Sequence, residues 1–175
     1  MFCLKTERLR LVPFSLELLN ELHALLSDRE LTRLMVFNPR ESLEETQDYV
    51  VSAMKEWEKT KPDFLEFILL FNGEVAGDLT LYFFPEEPGK AEFAWIVSPK
   101  YSGRGFAAEA AKALIDHFSK NRGIKRFIAL CDSENTYSIA LAKKLGMRYV
   151  SSHRGRFNRI APTEERTEHL FELLL

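Results

Sequence analysis

The order of periodic segments in this 175-residue sequence predicts an α/β (mixed α+β) fold: a mixed, mostly antiparallel sheet flanked by helices, with one β-α-β unit at its centre. Three observations carry that expectation. Apolar faces at helical spacing fill residues 15–57 and recur over 107–118. Three strand-like runs lie between residues 64 and 97, separated by turn signals and not by helices. A strand, a long helix and a further strand then follow between residues 91 and 130, the only clear crossover in the pattern.

Each element has a local reason. Arg8-Leu9-Arg10-Leu11-Val12 alternates and stops at Pro13, which predicts a first strand. Ser15 can cap a helix that carries Leu18, Leu19, Leu22, Leu25 and Leu26 on one face. Beyond the polar gap at Asn38-Pro39-Arg40, Ser42 and Glu45 make a capping box for a second helix through Tyr49, Val50, Ala53, Met54 and Trp57. Phe64 to Phe71 reads as a strand running into Asn72-Gly73, a strong hairpin turn, with residues 75–84 leading away from it. The turn from Pro85 to Gly89 introduces a strand over 91–97. A glycine-bearing loop then opens a helix over 107–120 that Gly123 ends. Residues 125–130 form a strand, 136–145 a short helix closed by Gly146, and 148–152 and 169–175 the last two strands, around a polar loop.

Composition limits the function classes. Hydrophobic residues make up 46% and include fourteen Phe, which excludes a disordered chain and fits one domain over residues 1–175. No apolar run approaches the ~20 residues of a membrane span, and Lys5, Glu7, Arg8 and Arg10 interrupt any export signal. Cys3 and Cys131 stand far apart without metal-ligand spacing, so no metal and a reducing, cytoplasmic compartment are expected. The net charge of −2 hides a split: residues 1–90 carry 10 Lys and Arg against 17 Asp and Glu, residues 91–175 carry 14 against 9. Either this is chance over one folded surface, or two ligand-facing surfaces differ in sign.

The most informative stretch runs from Ile96 to Ala111. Gly103-Arg104-Gly105 there leads from a strand end into the long helix, and glycines let backbone N–H groups converge at the positive end of the helix dipole. Such a nest suits phosphate or pyrophosphate; a plain tight turn is the alternative. No Gly-Lys-Ser/Thr and no third glycine at dinucleotide spacing is present. Downstream, Asn135-Thr136-Tyr137-Ser138 opens the short helix that ends in Lys143-Lys144-Leu145-Gly146-Met147. Asn135 can cap that helix, or Asn135 and Ser138 can point at a ligand.

Together these motifs resemble the GNAT superfamily of N-acetyltransferases. Ser102-x-x-Gly105-x-Ala107 is similar to its acyl-CoA pyrophosphate loop, with Ser102 where Gln or Arg is usual. The Asn-x-x-Ser block with Lys-Leu-Gly, and the opening Thr6-Glu7-Arg8-Leu9-Arg10-Leu11, resemble the RimJ/RimL-type branch, which includes acetyltransferases of ribosomal-protein N-termini. The resemblance covers nearly the whole chain. It implies acetyl-CoA as co-substrate, bound by Ile96, Val97, Gly103, Arg104, Gly105, Phe106, Ala107, Asn135 and Ser138, in the central β-α-β unit. It implies a primary-amine acceptor: a peptide N-terminus, a polyamine, an aminoglycoside or a similar compound. It also allows a homodimer. Met147 replaces a common Phe, and Ala142 stands where many members place a tyrosine acid, so a tyrosine acid at that position is excluded.

On this resemblance the amine attacks the thioester directly, and something must take up its proton, because an alkyl ammonium has a pKa near ~10.4. Glu92 is the candidate base and Ser138 the candidate donor to the departing thiolate, while the backbone at Ile96 and Val97 would hold the pantetheine arm. The acceptor walls are expected around residues 34–43 and 158–166, with Glu86, Glu87 and Glu92 on the cationic substrate's side. His23, His117, His153 and His169 are isolated, and Cys131 is expected to pack and not to act as a nucleophile. Two alternatives stand beside the enzyme reading. One is a non-catalytic acyl-CoA-binding or regulatory module on the same fold. The other is an RNA-associated protein, yet no basic run interleaved with aromatics supports nucleic-acid binding, and none is expected.

Overall fold

The computed structural model describes residues 2–157 and 165–175. In chain order the elements are β1 (Leu4–Lys5), β2 (Arg10–Pro13), α1 (Leu19–Leu26), α2 (Arg29–Thr32), α3 (Leu43–Glu58), β3 (Phe64–Phe71), β4 (Glu74–Phe83), β5 (Lys90–Val97), α4 (Phe106–Arg122), β6 (Arg126–Asp132), α5 (Thr136–Lys144), β7 (Arg148–Phe157) and β8 (Glu165–Leu174). The strands make one open sheet in the order β1-β2-β3-β4-β5-β6-β8-β7. Every neighbouring pair is antiparallel except β5–β6, the pair that α4 connects. The expected mixed, mostly antiparallel sheet is what forms.

Local chemistry explains most boundaries. Asn72 and Gly73 both take positive φ, 52° and 85°, the backbone that a two-residue hairpin needs to match strand twist. Gly123, with φ of 68°, ends α4. Three expectations change. Ser15 makes no side-chain cap; the chain first winds a 3-10 turn over Leu16–Leu18, and α1 follows it. Ser42 Oγ accepts from the Glu45 amide at 3.1 Å, but the Glu45 carboxylate reaches back to the amide of Glu41, one residue before the cap. β1 and α2 are too short to carry a periodic signal and were not expected.

The two faces of the sheet bury different things. Phe67, Leu79, Leu81, Phe93 and Trp95 pack against the Ala and Leu face of α4. On the opposite face Ile68 and Ile96 pack beneath Phe14, Leu22, Val50 and Ala53 from the α1–α3 layer. Strand register puts Glu66 opposite Thr80 and Asp78 opposite Ile68 and Ile96, so three polar side chains share that second face with aliphatic ones.

Two irregularities shape the centre. β3 and β4 slip by one residue at Leu69/Leu70, leaving Ala76 as a bulge, and its carbonyl accepts the Ser98 amide at 2.9 Å. β5 and β6 pair only from Lys90↔Arg126 to Phe93↔Ala129, although both strands continue, to Val97 and Asp132. Beyond Phe93 they part, and the sheet opens into a wedge.

Candidate functional site

The wedge exposes the edge of β5 at Trp95–Val97 and is closed on the far side by α5. A cleft of about 640 Å³ lies there, lined by β5, the loop before α4 and the exposed face of α5. Gly103 and Gly105 hold positive φ, 74° and 79°, as a turn of successive N–H groups toward one point requires. Among the described residues the amides of Gly103, Gly105, Phe106 and Ala107 have no hydrogen-bond acceptor. They stand at the positive end of the 17-residue helix α4. Lys144 leans over this loop: its ammonium would lie 3.4 Å from a Cβ at Gly105, and an Arg8 nitrogen 3.8 Å from it. Arg8 is held in place by Glu109 of α4 at 2.6 Å and by the Arg104 carbonyl at 3.1 Å. Thr6 also bonds Glu109, and although desolvation pushes upward, the Thr6 and Arg8 hydrogen bonds keep its carboxyl below the usual range. The opening Thr6–Arg8 motif therefore clamps the first turn of α4.

A second cavity of about 760 Å³ lies on the α1–α3 side of the same wedge. It shares Leu34, Met35, Trp95, Ile96, Asn135 and Ser138 with the first. Its lining carries five carboxylates, Asp63, Asp78, Glu92, Asp132 and Glu168, against one basic residue, Arg40. Of these, Asp132 is neutralised by a buried two-pronged pair with Arg166, at 2.9 and 2.8 Å. Behind the lining Glu66 is wholly buried and accepts hydrogen bonds from the Tyr49 hydroxyl and, at 2.8 Å, from Thr80. Burial pushes Glu66 up to about 7 against the pull of those two donors and of Arg40. Burial, and then the charge of Glu66, hold Asp78 well above the ordinary aspartate range. Tyr49 and Tyr82 are raised for the same two reasons, which keeps their hydroxyls protonated.

At the junction the Trp95 indole N–H donates to Ser138 Oγ at 3.0 Å, and the Asn135 side chain accepts from the Ser138 amide at 3.0 Å. Asn135 thus caps α5 and also faces both cavities. Because Ser138 Oγ accepts from the indole, its own O–H is left to donate.

The residues singled out in the sequence separate accordingly. Ile96, Val97, Gly103, Gly105, Phe106, Ala107, Asn135 and Ser138 all line the first cleft. Arg104 does not; its guanidinium lies over Phe71 at 4.8 Å and Phe106 at 5.0 Å. Glu92 lines the second cavity with Ser138. Glu87 instead pairs with Lys90 and Arg126, at 2.9 and 3.0 Å, away from both cavities. Of the expected walls, residues 34–37 and Arg40 line the second cavity, whereas residues 158–164 lie outside the described residues. The opposite-sign surfaces exist without following the halves of the chain: Arg8 from the acidic half serves the glycine loop, and Glu92, Asp132 and Glu168 from the basic half line the acidic cavity. Cys131 is a buried thiol that forms no disulfide. His23 bonds Thr46, joining α1 to α3, and His169 bonds Ser152 across the β7–β8 pair, both outside the two cavities. Among the described residues no group of three His, Cys, Asp or Glu could hold a metal, and no helix is long and apolar enough to cross a membrane. Sequence reasoning missed Trp95, Asp78, Glu66 and Arg8, whose roles depend on register and crossing geometry.

This geometry has relatives. The family model described as Acetyltransferase (GNAT) domain matches residues 8–148. Spermidine N(1)-acetyltransferase of Escherichia coli is 28% identical over 78% of this chain and 71% of its own length. The uncharacterized N-acetyltransferase YnaD of Bacillus subtilis is 40% identical over 57 residues, a match that spans 34% of that relative's length. In fold, the chain is similar to the Salmonella typhimurium acetyl transferase that modifies the N-terminal serine of ribosomal protein L7/L12, with a TM-score of 0.86 at 17% identity over 99% of both chains. A wedge opened between two parallel strands, a glycine loop feeding the helix between them, and a family match across both motifs lead to one conclusion: the chain belongs to the GNAT acetyltransferases, with structural neighbours of the RimL kind.

Proposed function

We propose that residues 1–175 act as one domain that transfers an acetyl group from acetyl-CoA to a primary amine, by direct attack of the amine on the thioester. One observation carries this reading: two cavities of opposite character meet at Trp95, Ile96 and Ser138. The first fits the pyrophosphate of CoA, because its loop amides lack acceptors and Arg8 and Lys144 stand beside them. The edge of β5 at Ile96 and Val97 fits the pantetheine arm, since those residues no longer pair with β6. Arg104 contributes through its backbone. The acidic second cavity suits a cationic amine, and relatives that act on spermidine and on a protein N-terminus support an amine acceptor. A polyamine, with more than one positive charge, gains more from this acidic lining, even with Asp132 neutralised by Arg166, than a singly charged peptide terminus does. Cys3 and Cys131, which form no disulfide, fit a reducing, cytoplasmic setting.

Within this reading Glu92 carries the amine's proton away and Ser138 protonates the leaving thiolate. Glu92→Gln is expected to lower the rate more at neutral than at alkaline pH, where the ammonium loses its proton unaided; an unchanged pH–rate profile removes the assignment. Ser138→Ala should slow turnover while leaving acetyl-CoA affinity nearly unchanged. It also strands the buried Trp95 N–H, at a cost of about 1–3 kcal/mol. The double variant Trp95→Phe/Ser138→Ala should therefore regain stability without regaining turnover. A single Ser138→Ala variant with a normal rate leaves Ser138 structural.

The direct test is incubation with acetyl-CoA and a broad panel of amines, reading CoA release, after calorimetric titration of acetyl-CoA alone. Binding with turnover on at least one amine is expected. Binding without turnover returns the chain to a non-catalytic acyl-CoA module, and no binding overturns the reading.

A further inference from the structure

Asp78 is a buried carboxyl of the second cavity whose position the chemistry above leaves unused. It is 4% exposed, it lines the cavity, and its Oδ1 has no hydrogen-bond partner among the described residues. A buried, unpartnered carboxyl oxygen costs stability, so a purely structural origin gives it no compensation. Its place is equally specific. Asp78 sits directly opposite Ile96 in the β4–β5 ladder, and Ile96 is shared by both cavities. Antiparallel partners have Cα atoms about 5 Å apart. Glu92 lies four residues earlier on β5, about 13 Å along the strand at ~3.3 Å per residue. Of the two carboxyl groups, Asp78 is the closer to the junction.

We infer that Asp78, backed by Glu66, is the catalytic residue that first receives the proton of the acceptor ammonium, and that the proton then leaves through the cavity that Glu92 also lines. This rests on the acetyl-transfer reading above. The titratable and polar groups around Asp78 are Glu66 on β3, Thr80 and Tyr82 on β4, Tyr49 on α3 and Arg40 before it, with Glu92 farther along β5 in the same cavity. Tyr49 and Thr80 donate to Glu66 and not to Asp78, so the Asp78 oxygen stays open toward the cavity. Burial, and then the proximity of Glu66, raise the proton affinity of Asp78, which makes it a stronger base than an exposed aspartate once the ammonium's charge has ionised it. The ammonium R–NH₃⁺ gives one proton to the Asp78 carboxylate and becomes R–NH₂. The amine nitrogen then forms its bond to the thioester carbon. The C–S bond breaks, the second proton passes from nitrogen to sulfur through the Ser138 hydroxyl, and CoA leaves as the thiol. The proton on Asp78 returns to solvent, so one proton is released per amide formed.

The experiment compares the wild-type chain with Asp78→Asn and Glu66→Gln on the best amine of the panel, measuring kcat, KM, pH–rate profile and acetyl-CoA affinity. Asp78→Asn is expected to lower kcat at least ~100-fold at pH 7.5 with acetyl-CoA affinity within about twofold. Glu66→Gln removes the negative neighbour, so the acid limb of the kcat profile should move to lower pH. Asp78→Asn with kcat within about twofold of wild type and an unmoved acid limb overturns the inference. Should Asp78→Asn fail to bind acetyl-CoA, the Glu66→Gln limb decides: a downward shift supports the role and an unmoved limb rejects it. A wild-type chain that binds acetyl-CoA and acetylates no amine rejects the transfer reading itself, and Asp78's role with it.

Discussion

Gly77→Ala is expected to destabilise the protein by about 3 kcal/mol and to weaken acetyl-CoA binding at least ~10-fold. A Cβ at Gly77 would lie 2.3 Å from the Ile96 carbonyl oxygen, 3.0 Å from Val97 Cα and 3.3 Å from Ile96 C. All three are backbone atoms, so no rotamer change relieves the clash. Gly77 follows the bulge at Ala76 and faces Val97 across the ladder, so relief has to come from moving β4 away from the last turn of β5. That movement displaces the strand edge assigned to the pantetheine arm. For a domain of this size the stability loss corresponds to roughly 6–12 °C in melting temperature. Thermal denaturation with calorimetric titration of acetyl-CoA checks both parts; a wild-type melting point would show that the ladder tolerates the methyl group.

Arg166→Leu should cost about 3–5 kcal/mol, because it breaks a buried two-pronged ion pair by removing one partner. Asp132 is 2% exposed and Arg166 6%. Arg166 also reaches Glu134 at 3.0 Å, tying β8 to the turn that starts α5. Asp132 Oδ1 accepts the Glu134 amide at 2.9 Å, an interaction that an asparagine can keep. The double variant Asp132→Asn/Arg166→Leu is therefore expected to recover at least half of the loss in chemical denaturation. Equal losses in the single and double variants would show that the cost is packing and not uncompensated charge.

Much of the fold was legible because its signals are local. Asn72-Gly73 dictates the hairpin through backbone φ alone, and the Ala–Leu face of α4 with Gly123 dictates the helix and its end. The glycine loop was legible for the same reason. The acidic cavity was not. Glu66 and Asp78 lie inside runs that read as core strand, Phe-Leu-Glu-Phe and Gly-Asp-Leu-Thr. Alternation gives the parity of each residue within its strand, but only the register between strands brings Glu66, Asp78 and Glu92 onto one face. The Trp95–Ser138 bond spans 43 residues and depends on where β5 and β6 part, which no local pattern encodes. The charge split pointed to two surfaces of opposite sign, but the fold interleaves the halves, as Arg8 at the glycine loop shows.

Transfer across the junction of two cavities, in one complex holding both substrates, is the centre of this account. The buried Cys131 thiol lines the second cavity and is the alternative acetyl carrier to be tested. Initial rates measured over a grid of acetyl-CoA and amine concentrations test the claim most directly. Direct transfer predicts reciprocal plots that intersect; parallel lines, the pattern of an acetyl-enzyme formed before the amine binds, would contradict it.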